Sequence, residues 1–204
     1  MQRFSLERPQ YILFAGVNGA GKSTLYKSGL WSNKEKEREL PRVNSDEILV
    51  QHSWDWSKES DQLKAGRLAL GQMKDFLSAT ESFLQETTLA GRTIVKHIQQ
   101  AHDLGYQIQM NYVGVDSADL ALQRIEYRVS VGGHGITEEG VRRRYAASLE
   151  NLYKVAPLCE SIMLYDNTTQ LRLVAFTLDG VVYNCANEQA GATWFLPVIA
   201  QLTK

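Results

Sequence analysis

Cysteine is nearly absent from this chain: Cys159 and Cys185 are the only two among 204 residues. Thiols so few and so far apart exclude a disulfide framework and a cysteine-built zinc site, and read as reduced and incidental. Proline is scarce too, with four residues and no cluster, so no proline-rich linker divides the chain. Neither sign of charge dominates. The 22 basic and 23 acidic residues leave a net charge of −1, which excludes a global field drawing the chain to nucleic acid or anionic lipid, although a local basic cleft is compatible with that sum. Long hydrophobic runs are missing as well. The first ten residues are polar, the apolar run at 11–15 is too short for a signal-peptide core, and nothing approaches the roughly 20 residues of a membrane span. The expectation is a cytoplasmic protein without a nucleic-acid or membrane partner.

The chain does have enough apolar residues, 44%, to build the core of an ordinary globular protein. No repeat interrupts it, so one domain is expected over 1–204, with a core at about 10–167 and an appended hairpin and helix over 168–204. The continuous apolar run YILFA at 11–15 suits a strand buried on both faces. Helices are predicted at 22–30, 92–104, 119–129 and 137–155, and strands at 83–87, 107–115 and 161–165. A further helix is read over 61–79 from Leu63, Leu70, Met73, Phe76 and Leu77. The charged stretch 33–40 reads as solvated. Asp179-Gly180 between two apolar runs signals a hairpin, and 192–202 a closing helix despite Pro197. Alternating strands and helices predict a three-layer α/β fold. Its mostly parallel sheet would be flanked by helices and decorated by the C-terminal β-hairpin.

Between the first strand and the first helix stands GVNGAGKS, residues 16–23. It matches G-x-x-x-x-G-K-[ST] at every fixed position, so the expected α/β fold is that of a P-loop NTPase. Glycines allow positive φ and let successive N–H groups converge on a phosphate, while the helix directs its positive end at the anion. Chance occurrence in such a chain is on the order of 0.01. Gly16, Asn18, Gly19, Ala20, Gly21, Lys22, Ser23 and Thr24 are therefore the expected nucleotide-binding residues. Lys22 would reach the β- and γ-phosphates, and the Ser23 hydroxyl would ligate Mg²⁺.

Motifs that would convert this cradle into a motor or a GTPase are missing. Asp46-Glu47 does not end an apolar strand, Gly132-Gly133 lacks the flanks of an ABC signature, and no Asn-Lys-x-Asp is present. A small phosphotransferase remains. VNSDEI, 43–48, stands where a second strand would end, so Asp46 would be a general base facing the γ-phosphate; equally, Ser45 or Asp46 would cap a helix. ETTLAGR, 86–92, would offer Glu86, Thr87 and Thr88 to an acceptor beyond a strand end, or form a polar loop with a cap. Arg124 and Arg128 share a helix face ahead of a glycine pair, and Arg142, Arg143 and Arg144 follow on the next helix. That pattern fits a lid bringing guanidinium groups to phosphate, or a solvated basic face. By helical geometry Arg143 points away from the apolar stripe. His134 between glycines reads as a surface residue.

The blocks GVNGAGKST, VNSDEI, ETTLAGR and RVSVGGHGI through RRRYAASLENL, in that order over about 10–167, resemble the zeta toxin family, in particular its small free-standing bacterial members. The resemblance implies an ATP- and Mg²⁺-dependent kinase that phosphorylates the 3′-hydroxyl of a UDP-activated amino sugar, typically UDP-N-acetylglucosamine, and that an antitoxin protein can restrain. It implies that Lys22 holds ATP phosphates, Ser23 meets Mg²⁺, Asp46 is the base, Glu86 falls among the sugar-binding residues and Arg124 contacts phosphate. For the second phosphate arginine, Arg128, Arg142 and Arg144 are candidates, with Arg128 preferred. The rival readings are a kinase for a nucleotide, an antibiotic or a dinucleotide, and a nucleotide-dependent binding module.

Overall fold

In the computed structural model, residues 8–133, 135–178, 180–185 and 194–203 are described. The architecture grows from β1 (Gln10–Ala15), in which residues 11–15 are wholly shielded from solvent. Successive side chains on a strand point to opposite faces. Tyr11, Leu13 and Ala15 thus pack into one apolar cluster, and Ile12 and Phe14 into another. A strand buried on both faces requires a helical layer on each side. The second face is covered by α1 (Lys22–Ser28) and α6 (Ala118–Ser130) through Leu25, Ala121 and Ile125. The first face is covered by α4 (Glu59–Ala79), α5 (Arg92–Asp103) and α8 (Phe195–Leu202). Helix α7 (Glu138–Val155) sends Leu152 to the first cluster and Val141 to the second.

The remaining strands are β2 (Arg42–Val43), β3 (Phe83–Thr87), β4 (Gln107–Gly114), β5 (Ser161–Asp166), β6 (Arg172–Leu178) and β7 (Val181–Asn184). Their order is β2-β3-β1-β4-β5-β6-β7. The first five run parallel, and β6 and β7 continue antiparallel. The expected hairpin therefore extends the sheet itself. Five parallel strands deliver their carboxyl ends to one edge, where ligands bind in folds of this kind.

Two expectations about burial are corrected. The buried seam of α4 is Ala65, Ala69, Met73 and Leu77, whereas Leu63 and Leu70 are 55% and 36% exposed. The short alanines let α3 (Ser45–Gln51) pack against α4, and that turns the two leucines outward. The charged stretch 33–40 is not simply solvated, since it forms α2 (Glu35–Arg38) around a buried Glu37. Burial raises the Glu37 pKa, but hydrogen bonds from Lys34 (2.8 Å), Ser32 (2.6 Å) and Gln10 (3.3 Å) outweigh it and hold the carboxyl below its usual value. The closing helix is entered at Phe195, so Pro197 falls in its first turn, where a missing N–H costs nothing. His134, Asp179 and the expected helix start at 192 lie outside the described residues.

Candidate active site

The loop after β1 has the backbone its glycines permit. Gly16, Gly19 and Gly21 adopt φ of 134°, 80° and 103°. A Cβ on Gly16 would lie 2.1 Å from the Val113 carbonyl oxygen, and one on Gly19 2.5 Å from that of Ala121. Helix α1 starts after Gly21 with no side-chain cap, so its first N–H groups remain available to an anion. Lys22 is 7% exposed and its ammonium donates to the Val17 carbonyl at 3.2 Å. Burial lowers its pKa, Glu86 and Asp46 counter that shift, and Arg128 and Arg144 reinforce it. A buried cation flanked by other cations is poised to gain from an incoming polyanion.

Over this loop lies a cavity of about 230 Å³ lined by Asn18, Gly19, Gly21, Lys22, Ser23, Thr24, Asp46, Glu86, Arg124 and Arg128. Arg124 and Arg128 thus converge on the cradle as expected. Among the described residues Arg128 Nε and Nη2 are buried without a hydrogen-bond partner, an arrangement that costs free energy until an acceptor arrives. Arg144 also reaches the loop, donating to Asn18 Oδ1 at 3.1 Å. Arg142 does not: it pairs with Asp119 (2.6 Å) and Glu138 (2.9 Å) on the exposed surface, and so leaves the list of phosphate candidates.

Glu86 sits elsewhere than an acceptor residue alone would. Strand β3 neighbours β1 with Phe14 opposite Glu86, and this register sets the carboxylate against α1. Ser23 Oγ donates to Glu86 Oε1 at 2.9 Å, and Asn44 and Arg42 donate to Oε2 at 3.1 and 3.3 Å. The strand that brings an acid to the phosphate loop is thus β3, expected as a strand at 83–87 with its Glu86 assigned to the acceptor. A serine hydroxyl and a carboxylate oxygen are hard donors of the kind that Mg²⁺ takes, so Ser23 and Glu86 are the residues that would hold such an ion. Among the described residues no cluster of three or more His, Cys, Asp or Glu forms a cage.

Asp46 lies in the first turn of α3. Neither it nor Ser45 is the cap; Asn44 is, accepting from the Asp46 N–H at 2.9 Å. Asp46 lines both the small cavity and a larger one of about 610 Å³. The larger cavity is bounded by α3, α4, the end of β3, α5 and α7, with Glu86, Thr87, Thr88, Trp56, Leu63, Leu70, Arg67 and Arg143 in its wall, so Glu86, like Asp46, lines both cavities. The Thr87 hydroxyl is used locally, accepting from Leu89 N–H at 3.0 Å. Arg67 and Arg143 are exposed, and among the described residues neither has an anionic partner within salt-bridge distance. Sequence reasoning missed Asn167, which donates from Nδ2 to the Ala20 carbonyl at 2.8 Å and pins the phosphate loop from the end of β5. A lone asparagine after a strand carries no signal that would have revealed it.

Comparison with known proteins agrees with this geometry. A model of the zeta toxin family matches residues 2–175. A Haemophilus influenzae protein described only as uncharacterized is 33% identical over 134 residues, 66% of this chain and 91% of the relative. Among solved structures, one of the PezAT chromosomal toxin-antitoxin system of Streptococcus pneumoniae superposes with TM-score 0.59 at 19% identity, over 97% of this chain and 78% of the other. The AvrRxo1-ORF1:-ORF2 structure with ATP gives TM-score 0.67 at 15% identity, over 97% of this chain and 64% of that chain. These structural likenesses establish a shared P-loop kinase-like fold, and the family match places the sequence: this chain belongs to the zeta toxin family.

Proposed function

We propose that this protein is an ATP-dependent kinase that phosphorylates a hydroxyl of a UDP-activated amino sugar, UDP-N-acetylglucosamine at its 3′-hydroxyl being the first candidate. The observation that carries the reading is that Asp46 lines both cavities at once. Phosphoryl transfer needs a base at the junction between a nucleotide and an acceptor hydroxyl. The small cavity takes the triphosphate, with Lys22, Arg124 and Arg128 as counter-charges and Ser23 and Glu86 as protein ligands of Mg²⁺. The ion, when bound, neutralises charge on the phosphate oxygens. In the larger cavity Asp46 takes the proton of the acceptor hydroxyl as its oxygen attacks the γ-phosphorus. Lys22, Arg128 and Arg144 then stabilise the charge on the equatorial and leaving oxygens. Arg67 and Arg143 give that cavity a cationic rim, suited to an acceptor that itself carries phosphate, as a UDP-sugar does. An antitoxin that covers the nucleotide or acceptor site is the corresponding protein partner; of the neighbours, the PezAT structure is described as a toxin-antitoxin system.

The test is mass spectrometry of a metabolite mixture and of purified UDP-sugars incubated with protein, ATP and Mg²⁺. A product 80 Da heavier than a UDP-sugar, about one phosphoryl group, is the expected outcome. Inertness towards every UDP-sugar, with another acceptor phosphorylated, would replace the substrate. Absence of any phosphorylated small molecule would overturn the kinase reading.

A further inference from the structure

Three consecutive residues leaving β5 connect the nucleotide site to the C-terminal part of the chain. Asp166 is fully buried and accepts on both oxygens. Oδ1 receives the Thr168 hydroxyl at 2.6 Å, the Thr168 N–H at 3.1 Å and the Trp194 indole N–H at 2.9 Å. Oδ2 receives Arg172 through Nε at 3.2 Å and Nη2 at 3.0 Å. Burying a carboxylate away from water is costly unless its oxygens are supplied with donors in this way. Thr168 is held from a second side as well, because its Oγ1 accepts the Asp116 N–H at 3.0 Å. Its carbonyl, fixed by these contacts, accepts Arg124 Nη2 at 2.9 Å. Trp194 is itself wedged against the sheet, since a Cβ on Gly114 would fall 2.3 Å from its ring.

We infer that Thr168 and Asp166 are positioning residues for Arg124, forming a brace that presents its guanidinium to the nucleotide and that Trp194 ties to the C-terminal helix. The inference rests on the reading of the small cavity as the ATP site. A long arginine side chain loses much rotamer freedom when it grips a ligand. A carbonyl locked in place absorbs that loss before ATP arrives, and so lowers the cost of binding. The isosteric Thr168→Val deletes both hydroxyl hydrogen bonds and keeps the volume, while Thr168→Ser retains the hydroxyl.

ATP affinity is measured calorimetrically on the full chain for wild type, Thr168→Val, Thr168→Ser, Arg124→Ala and the Arg124→Ala/Thr168→Val pair, with thermal melts alongside. Arg124→Ala and Thr168→Val should each weaken ATP about tenfold or more, the size of one lost charge-assisted contact. Thr168→Ser should stay within about twofold, and the pair should be no weaker than Arg124→Ala alone, because residues acting as a unit are not additive. A merely structural role would show Thr168→Val adding its full loss to Arg124→Ala, and that result overturns the proposal. So does unchanged ATP affinity in Thr168→Val or in Arg124→Ala. If Thr168→Val melts below the assay temperature, Trp194→Phe, which deletes one donor to Asp166, should weaken ATP about threefold in the wild type and add nothing to Arg124→Ala; full additivity there counts against the brace. These readouts need no acceptor. A wild type that binds ATP but phosphorylates nothing refutes the kinase reading and leaves the brace standing.

Discussion

Asp46→Asn separates chemistry from binding, because the side chain keeps its shape and loses only its charge and basicity. Asp46 stands between the two cavities, so loss of the base should reduce transfer by about 10²–10⁴, equivalent to about 2.7–5.4 kcal/mol of barrier. The fold should notice little. The cap of α3 survives, since Asn44 accepts from the backbone N–H of residue 46. What is lost is one acidic charge in the first helical turn, worth about 0.3–1 kcal/mol, which for a domain of this size is a fall in Tm of about 1–4 °C. ATP affinity feels two opposed effects. A negative charge beside the triphosphate disappears, but Asp46 also supports the protonated forms of Lys22 and Arg144. The ATP dissociation constant should therefore stay within about threefold of wild type. Product formation is followed by mass spectrometry under saturating ATP, with calorimetry and thermal melts as controls. Transfer within about threefold of wild type would refute the base assignment, as would a collapse of ATP binding that accounts for the whole loss.

Gly16→Ala should destabilise by several kcal/mol, about 2–4, because the residue sits at φ 134° and its Cβ would meet the Val113 carbonyl oxygen at 2.1 Å; a Tm unchanged from wild type would contradict this. If Glu86 and the Ser23 hydroxyl, hydrogen-bonded to each other, hold Mg²⁺ as proposed, Glu86→Gln should raise the Mg²⁺ concentration needed for half-maximal activity by about tenfold or more; an unaltered Mg²⁺ dependence would return Glu86 to the acceptor side alone. Arg142→Ala should leave both activity and Tm at their wild-type values, its ion pairs being exposed, whereas Arg144→Ala should lower kcat by about tenfold or more. Burial lowers the Lys22 pKa, so the folded protein binds fewer protons than the unfolded one between that depressed value and the ordinary lysine range. Stability attributable to Lys22 therefore rises as pH rises through that window. Bound phosphate pulls the pKa back up, and ATP binding at alkaline pH should take up protons, read as a dependence of the calorimetric heat on buffer ionisation enthalpy. Proton release there would show that Lys22 does not face the phosphates.

Legibility followed the range of the interactions involved. The phosphate loop was readable because every property it needs is local: glycines at positive φ, a lysine and a serine at the start of a helix, and a strand buried on both faces. Asp46 was placed beyond a strand end at the start of a helix, and β2 stops at Val43 while α3 begins at Ser45, but the cap is Asn44 rather than Ser45 or Asp46. The partnership of Ser23 with Glu86 was not readable. It depends on β3 inserting between β2 and β1, so that Glu86 lies opposite Phe14, and the order of strands in a sheet leaves no trace in hydropathy. The α4 stripe failed for a related reason. Leucines at helical spacing look like core, but the seam belongs to Ala65 and Ala69, and Leu63 and Leu70 line the larger cavity.

Net composition conceals the site for the same reason that periodicity does, since both average over what the fold brings together. A chain of net charge −1 gathers Lys22, Arg124, Arg128 and Arg144 about one loop, while the acids that balance them lie largely elsewhere. The two acids that remain there divide their work by environment. Both oxygens of Glu86 accept hydrogen bonds from Ser23, and Oε2 also takes Asn44 and Arg42. A carboxylate so fully engaged is fixed in place, which suits a metal ligand and ill suits a base that must receive a proton from a mobile substrate. Asp46 and Glu86 each line both cavities. Asp46 differs in standing on the first turn of α3, whose start the Asn44 cap secures, so its assignment as the base rests on that placement and on the engagement of Glu86. If the roles were reversed, Glu86→Gln would abolish transfer at every Mg²⁺ concentration, and Asp46→Asn would be rescued by raising the metal. Measuring both variants across a Mg²⁺ titration therefore decides the assignment of the two carboxylates, whatever the acceptor proves to be.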